Sequence, residues 1–329
     1  NEMKDFFLKN DSVLVTHYQG LSVKQIDELK SEMRKHGVLF KVTKNKIQNL
    51  HLKSVGHFPD GSPPFSHIEF NITGLCNRLC AFCPRIDPIA YPNLNEHLTL
   101  DLWKKITDDL ATVDYSGRLS FCGFSEPMLH KKVFDLVEIA RQTLSNSTLE
   151  IITNGDQLTV EKIDSLFDAG LTTLIVSMYD GPEQIPYFES IVDKTTISRD
   201  KVILRKRYLP PEDGYGIELT NRSGTVSIEE VNIGALTEPL RHQCFYVHYR
   251  MMVDYNGDVL LCPHDWGKKL IAANLNDDNI IEVWNDKILN SVRTRLGKAD
   301  RNFAPCDKCD ALGTRQGREH FNAWQDYRR

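Results

Sequence analysis

Three cysteines fall close together in the stretch GLCNRLCAFCPR, at Cys76, Cys80 and Cys83. A structural zinc site takes four ligands, and disulfides take cysteines in pairs. An iron–sulfur cube has four irons, each normally bound by one thiolate. Three thiolates therefore leave one iron open to a small molecule. A second group, Cys244, Cys262, Cys306 and Cys309, ends in a CxxC pair. Four thiolates could close a cube completely or hold a zinc ion. The eighth cysteine, Cys122, stands alone, as small buried strand cysteines often do.

The elements that must position these thiols alternate. HIEFNIT reads as a strand running straight into the first cysteine loop, and helical spacing follows at Trp103, Ile106 and Leu110. RLSFCGF, LEIITNG, TTLIVSMY and KVILRKRYL read as further strands. Helices between them are marked by Val133, Val137 and Ala140, by Ile163 and Leu166 with Thr159 as a cap, and by Ile185 to Val192. GIELTNRSG is read as a sixth strand. This rhythm predicts a parallel sheet covered by helices. Six units are too few for an eightfold barrel, so the expectation is α/β, an open, partial (β/α)6 barrel. From about Pro239 the rhythm stops. MMVDYNGDVLLC reads as a hairpin turning at Asn256-Gly257, and a helix is expected over Ile280 to Leu296. The expected organisation is an appendage over 1–57, a linker over 58–65 (FPDGSPP), the partial barrel over 66–238 and a terminal module over 239–329.

CNRLCAFC resembles the signature of the radical S-adenosylmethionine enzymes. That resemblance implies a [4Fe–4S] cluster on Cys76, Cys80 and Cys83, with the amino and carboxylate groups of S-adenosylmethionine on the open iron. Cleavage of the cofactor then yields a 5′-deoxyadenosyl radical, which removes hydrogen from an unactivated carbon. GFSEP resembles the family's Gly-Gly-Glu-Pro segment; only Gly123, Glu126 and Pro127 fit it closely, and Glu126 is expected at the methionine amino group. Asn154, Ser177 and Arg205 resemble polar contacts to the ribose and carboxylate, and Phe82 the aromatic beside the adenine.

The second cysteine group resembles the auxiliary-cluster module called SPASM, or its shortened twitch form. The pattern lacks three further cysteines, with Arg315 where the next is expected. This implies one fully ligated auxiliary [4Fe–4S] cluster on Cys244, Cys262, Cys306 and Cys309, with zinc the alternative reading of the same thiols. TNRSG resembles a segment of single-auxiliary-cluster enzymes acting on aminocyclitols and sugars, and makes Arg222 the candidate contact to a reacting hydroxyl. The expected activity is dehydrogenation of a carbon of a sugar, aminocyclitol or sugar nucleotide, the auxiliary cluster accepting an electron. Epimerisation with Cys122 as hydrogen donor and peptide modification are the enzymatic alternatives. A flavodoxin or ferredoxin is the expected reductant.

Residues 12–47 resemble the N-terminal part of the tenth protein of the bacterial large ribosomal subunit, at the stalk base. RNA docking by Lys41, Lys44 and Lys46, or a non-enzymatic ribosome-associated iron–sulfur protein, follows from that resemblance. The net charge of -5 in 329 residues is mild. No apolar run suits a membrane span and the start does not read as a secretory signal. The eight cysteines are accordingly expected as thiols in the cytoplasm.

Overall fold

A computed structural model describes residues 56–327, which belong to one compact unit. The expected N-terminal strand–helix–strand lies outside the described residues. Five parallel strands joined by four helices come first. The strands are β1 (His67–Asn71), β2 (Arg118–Phe121), β3 (Thr148–Thr153), β4 (Thr173–Met178) and β5 (Val202–Lys206). Between them run helices α1 (Leu100–Ala111), α2 (Val133–Thr143), α3 (Val160–Asp168) and α4 (Gln184–Val192). Thr99 and Thr159 cap α1 and α3, their hydroxyls accepting from Leu102 N and Lys162 N at 3.2 Å.

The sixth strand is not where the sequence places it. Residues 216–224 form no strand, because Arg222 and Ser223 both adopt left-handed backbone. The parallel partner on the other side of β1 is β6 (Arg250–Asp254), read from sequence only as the first arm of a hairpin. Strands β7 (Asp258–Leu260) and β8 (Ile271–Asn274) follow it antiparallel, giving one eight-stranded sheet ordered β5-β4-β3-β2-β1-β6-β7-β8. The terminal module thus shares its sheet with the barrel. The turn between β6 and β7 falls at Asn256-Gly257 as read, Gly257 taking φ 91°.

The expected linker is also part of the core. Phe58 and Phe65 are buried and meet edge-on at 5.1 Å, and Trp284 Nε1 donates to Pro63 O at 2.8 Å. The helix expected over 280–296 is two helices, α6 (Ile280–Trp284) and α7 (Lys287–Gly297), because Asp286 caps the second at Ile288 N. The last elements are α5 (Tyr246–Tyr249), preceding β6, and α8 (Arg318–Tyr327). Trp284 and Trp324 hold the Arg293 guanidinium between them, each ring centroid 4.0 Å away. Trp284→Ala is expected to cost about 3–5 kcal/mol, as large core truncations do; a chemical denaturation midpoint unchanged from wild type would contradict this packing role.

The two faces of the sheet differ. Ile68 and Phe70, Leu119 and Phe121, Leu149 and Ile151, and Leu174 and Val176 pack in the main core with Trp103 and Leu136. The alternate residues are polar yet buried: Glu69, Asn71, Ser120 and Glu150. Parallel strands usually read apolar on both faces; here the second face lines the site. Its polar groups satisfy one another. Ser120 Oγ donates to Glu150 Oε1 at 2.9 Å and sits 2.9 Å from His67 Nε2. Burial, then the Arg250 charge, pushes His67 down to about 3, so its ring is neutral.

Candidate active site

Gly74 starts the cysteine loop, and a Cβ there would press on Leu94, 2.9 Å from its Cβ. Cys76 N donates to Asn93 Oδ1 at 2.8 Å. Arg85 braces the loop from behind, donating to Asn93 Oδ1 at 3.0 Å, to Gly74 O at 2.8 Å and to Phe124 O. Arg78 braces it in front. Its guanidinium spans Asp156 and Asp180, beyond the ends of β3 and β4, donating at 2.7 Å and 2.6 Å. Neither arginine was singled out from sequence, where each reads as a surface charge beside a cysteine.

Cys76, Cys80 and Cys83 are thiols close enough to repel as thiolates. Burial and the neighbouring Cys83 and Cys76 push Cys80 up to about 12. Such thiols ionise when a metal binds them. Cys76 and Cys80 open on a cavity of about 120 Å³ that Cys122, Gly123, Glu126, Asn154, Ser177 and Tyr179 also line. Four of the six cofactor residues expected from sequence therefore share one cavity. Phe82 is outside its lining. It packs behind Tyr179, rings stacked at 6.1 Å, and against Tyr215 at 5.0 Å. Arg205 is outside it as well, in register with Ser177 on the neighbouring strand.

Glu126 is buried and heavily bonded. Its Oε1 accepts from Met128 N at 2.9 Å and Thr153 Oγ1 at 2.7 Å, and its Oε2 from Asn154 N at 2.7 Å. Burial outweighs these bonds and raises it to about 7; a cation beside it would bring it down again. The loop bearing it depends on Asn71, which sequence reasoning passed over. Asn71 Oδ1 accepts from Phe124 N at 3.1 Å and Ser125 Oγ at 2.6 Å, while its Nδ2 donates to Asp254 Oδ1 on β6 at 2.6 Å. Gly123, at φ 121°, lies so close to β6 that a Cβ would stand 2.7 Å from Met252 Cε. Asn71→Ala leaves these groups unpartnered at about 1–3 kcal/mol. The expected result is a folded protein binding S-adenosylmethionine about tenfold more weakly, read by equilibrium dialysis; unchanged affinity would remove Asn71 from the positioning role.

The second thiol group also converges. Cys244, Cys262, Cys306 and Cys309 line one small buried cavity with Ser223, His264 and Arg301. Burial raises Cys244 to about 11, and each of the four is raised in the same direction. Gly313, at φ 70°, presses against Cys244 so closely that a Cβ would overlap its sulfur. Arg301 runs beside the cavity, donating to Ala311 O at 2.7 Å and Leu312 O at 2.8 Å. Among the described residues, no three His, Cys, Asp or Glu side chains converge tightly enough to hold a single ion. Four thiols around one cavity are a donor set that a cluster could use.

Beside the second thiol group lies a polar cavity of about 360 Å³. Tyr246, His264 and Ala311 line both it and the second thiol cavity. Two of its three arginines are paired: Arg250 with Glu69 at 2.9 Å and Arg315 with Glu218 at 2.9 Å. Arg222 has no ion pair among the described residues, and its charge acts on Cys83 and His264. Its turn is tied to the CxxC pair by buried Asn221. That side chain donates to Lys308 O at 2.7 Å and Gly234 O at 2.8 Å, and accepts from Gly224 N at 3.1 Å. Left-handed backbone at Arg222 (φ 46°) and Ser223 (φ 55°) is the strain this anchoring holds in place.

Family models agree with the two thiol sites. Residues 70–203 match the radical SAM superfamily and residues 244–310 the iron–sulfur cluster-binding SPASM domain. The protein is a radical SAM enzyme with a SPASM-type auxiliary domain, and the two domains together imply S-adenosylmethionine and two [4Fe–4S] clusters. Among its relatives is the S-adenosyl-L-methionine-dependent 2-deoxy-scyllo-inosamine dehydrogenase of Niallia circulans. It is 26% identical over 248 residues, 75% of this chain and 93% of the relative. The structure of BtrN in complex with AdoMet and 2-DOIA shares the fold, with TM-score 0.64, 24% identity, 78% of this chain and 98% of that one. Residues 1–61 match ribosomal protein L10. The large ribosomal subunit protein uL10 of Pelagibacter ubique is 49% identical over 53 residues, 16% of this chain and only 32% of that relative. Among the described residues no helix is long and apolar enough to cross a membrane.

Proposed function

We propose that this protein dehydrogenates a carbinol or amine-bearing carbon of an aminocyclitol or sugar, in the cytoplasm, drawing electrons from a flavodoxin- or ferredoxin-type reductant. The observation that carries the reading is Arg222, a cation with no ion pair among the described residues, in a polar cavity that shares lining with the auxiliary thiols. The relative named an inosamine dehydrogenase supports it. When bound, the two clusters and S-adenosylmethionine supply a hydrogen-abstracting carbon radical and a one-electron acceptor. The chain does the rest. Glu126, Asn154 and Ser177 hold the cofactor's polar groups. Arg222 brings a guanidinium to the cavity that can stabilise the oxygen losing its proton. Thr220, whose Oγ1 lies 3.2 Å from His264 Nδ1, fixes the His264 ring in the cavity wall.

Anaerobic turnover in deuterated water with a panel of aminocyclitols and sugars tests the reading. Dehydrogenation gives a carbonyl product, one 5′-deoxyadenosine per product, and no solvent deuterium at the reacting carbon. A redox-neutral product carrying solvent deuterium there would instead establish epimerisation. Cys122 lines the cofactor cavity beside Gly123, so Cys122→Ala would then stop product formation, whereas in the proposed reaction it does not.

A further inference from the structure

A third cavity, of about 440 Å³, shares no lining residue with either the cofactor cavity or the one holding Arg222. Its volume is that of an ordinary small-molecule site. One wall is aromatic. The Phe124 and Trp266 rings lie 4.4 Å apart, and Tyr91 stands edge-on to Trp266 at 5.9 Å. The lining also includes the cations Arg85, Lys268 and Lys269 and no carboxylate. This is notable in a chain of net negative charge.

The three cations are not equally available. Lys268 is paired with Asp254. Arg85 is buried with only neutral partners, the carbonyls of Gly74 and Phe124 and the Asn93 amide. Three of the five N–H donors of a guanidinium are used there, so two remain. Lys269 is exposed and its ammonium has no ion pair or hydrogen bond among the described residues. The neighbouring carboxylate of Asp265 accepts from the Lys269 backbone N at 2.9 Å and leaves the ammonium without a direct ion pair among the described residues. A flat ring beside aromatic side chains, next to cations with donors to spare for phosphate, is the chemistry of nucleotide recognition.

We propose that this cavity binds a nucleoside diphosphate, the base against Trp266 and the phosphates toward Lys269 and Arg85. The ligand has two conceivable sources with the same chemistry: the handle of a sugar-nucleotide substrate, or a free nucleotide. The site itself does not depend on which reaction the enzyme performs, so a binding measurement tests it independently of turnover.

The experiment is anaerobic calorimetry on the fully loaded enzyme with UDP and dTDP, and with uridine and inorganic phosphate as part-ligands. One saturable site for a diphosphate is expected, with each part-ligand at least about tenfold weaker. Lys269→Glu places a negative charge at the rim of an otherwise unchanged protein and should weaken the diphosphate about tenfold, and Trp266→Leu should weaken uridine binding as well. No saturable heat with either diphosphate overturns the proposal. So does identical affinity in Lys269→Glu, a variant whose exposed position spares folding. The source is then read from 5′-deoxyadenosine formation. Stimulation by UDP- or dTDP-sugars, with UDP competing, makes the site the substrate's handle; binding without stimulation makes it a free-nucleotide site. Either result upholds the cavity as a nucleotide site.

Discussion

Cys76→Ala, Cys80→Ala and Cys83→Ala should each abolish reductive cleavage of S-adenosylmethionine while leaving the protein folded. An open iron exists only when three irons of the cube are held by side chains. Removing one thiolate leaves a cube that is lost or rearranged, and the cofactor has no fixed metal to dock on. The fold survives because the loop is not held by its cysteines. Asn93 accepts from Cys76 N, Arg85 spans to Gly74 O, and Arg78 reaches Asp156 and Asp180. Iron should fall from about eight to about four per chain, the auxiliary cube remaining. The readout is 5′-deoxyadenosine by mass spectrometry after reduction by dithionite. Cleavage persisting at the wild-type rate in any one variant would withdraw that residue as a ligand.

The second large effect is at Arg222. Arg222→Gln should lower kcat for product about 10²–10³-fold, the loss typical of removing a donor aimed at a developing oxyanion. Cleavage of S-adenosylmethionine should continue, uncoupled from product, because Arg222 lines the polar cavity and not the cofactor cavity. Arg222→Lys should recover only part of the loss, since an ammonium keeps the charge but not the planar fork. Iron content must stay unchanged in both, because the turn is anchored through the Asn221 side chain to Lys308 and Gly234 rather than through the guanidinium. A product yield per 5′-deoxyadenosine equal to wild type would show that Arg222 does no more than shape the wall.

Much of the site is local in sequence and was legible there. A cysteine loop directly after a strand, a Gly-x-x-Glu-Pro strand end at Gly123 and a terminal CxxC each carry their meaning within a few residues. What was missed acts across the fold. Asn71 reads as the last residue of a strand, and only the pairing of β1 with β2 and β6 brings it against Ser125 and Asp254. Phe82 reads as an adenine contact by its place between two cysteines, and its stacking on Tyr179 is a relation that only the tertiary structure supplies. The strand expected over 216–224 gives way because its residues carry no sign of the left-handed turn, next to which Asp310, 89 residues further on, accepts from Asn221 N.

By itself the sequence determined the kinds of chemistry: two sets of thiols, one leaving a coordination position open and one able to close a cube, on alternating strands and helices. The tertiary structure decided how the two sets are related. It laid β6 beside β1, so that barrel and auxiliary module share one sheet, and brought Arg222 into a cavity bordering the second thiol set. The physical reason lies in range. Coordination chemistry and helical or strand periodicity are written into neighbouring residues, whereas strand order and the company of a buried side chain depend on how distant segments satisfy one another's hydrogen bonds and exclude water.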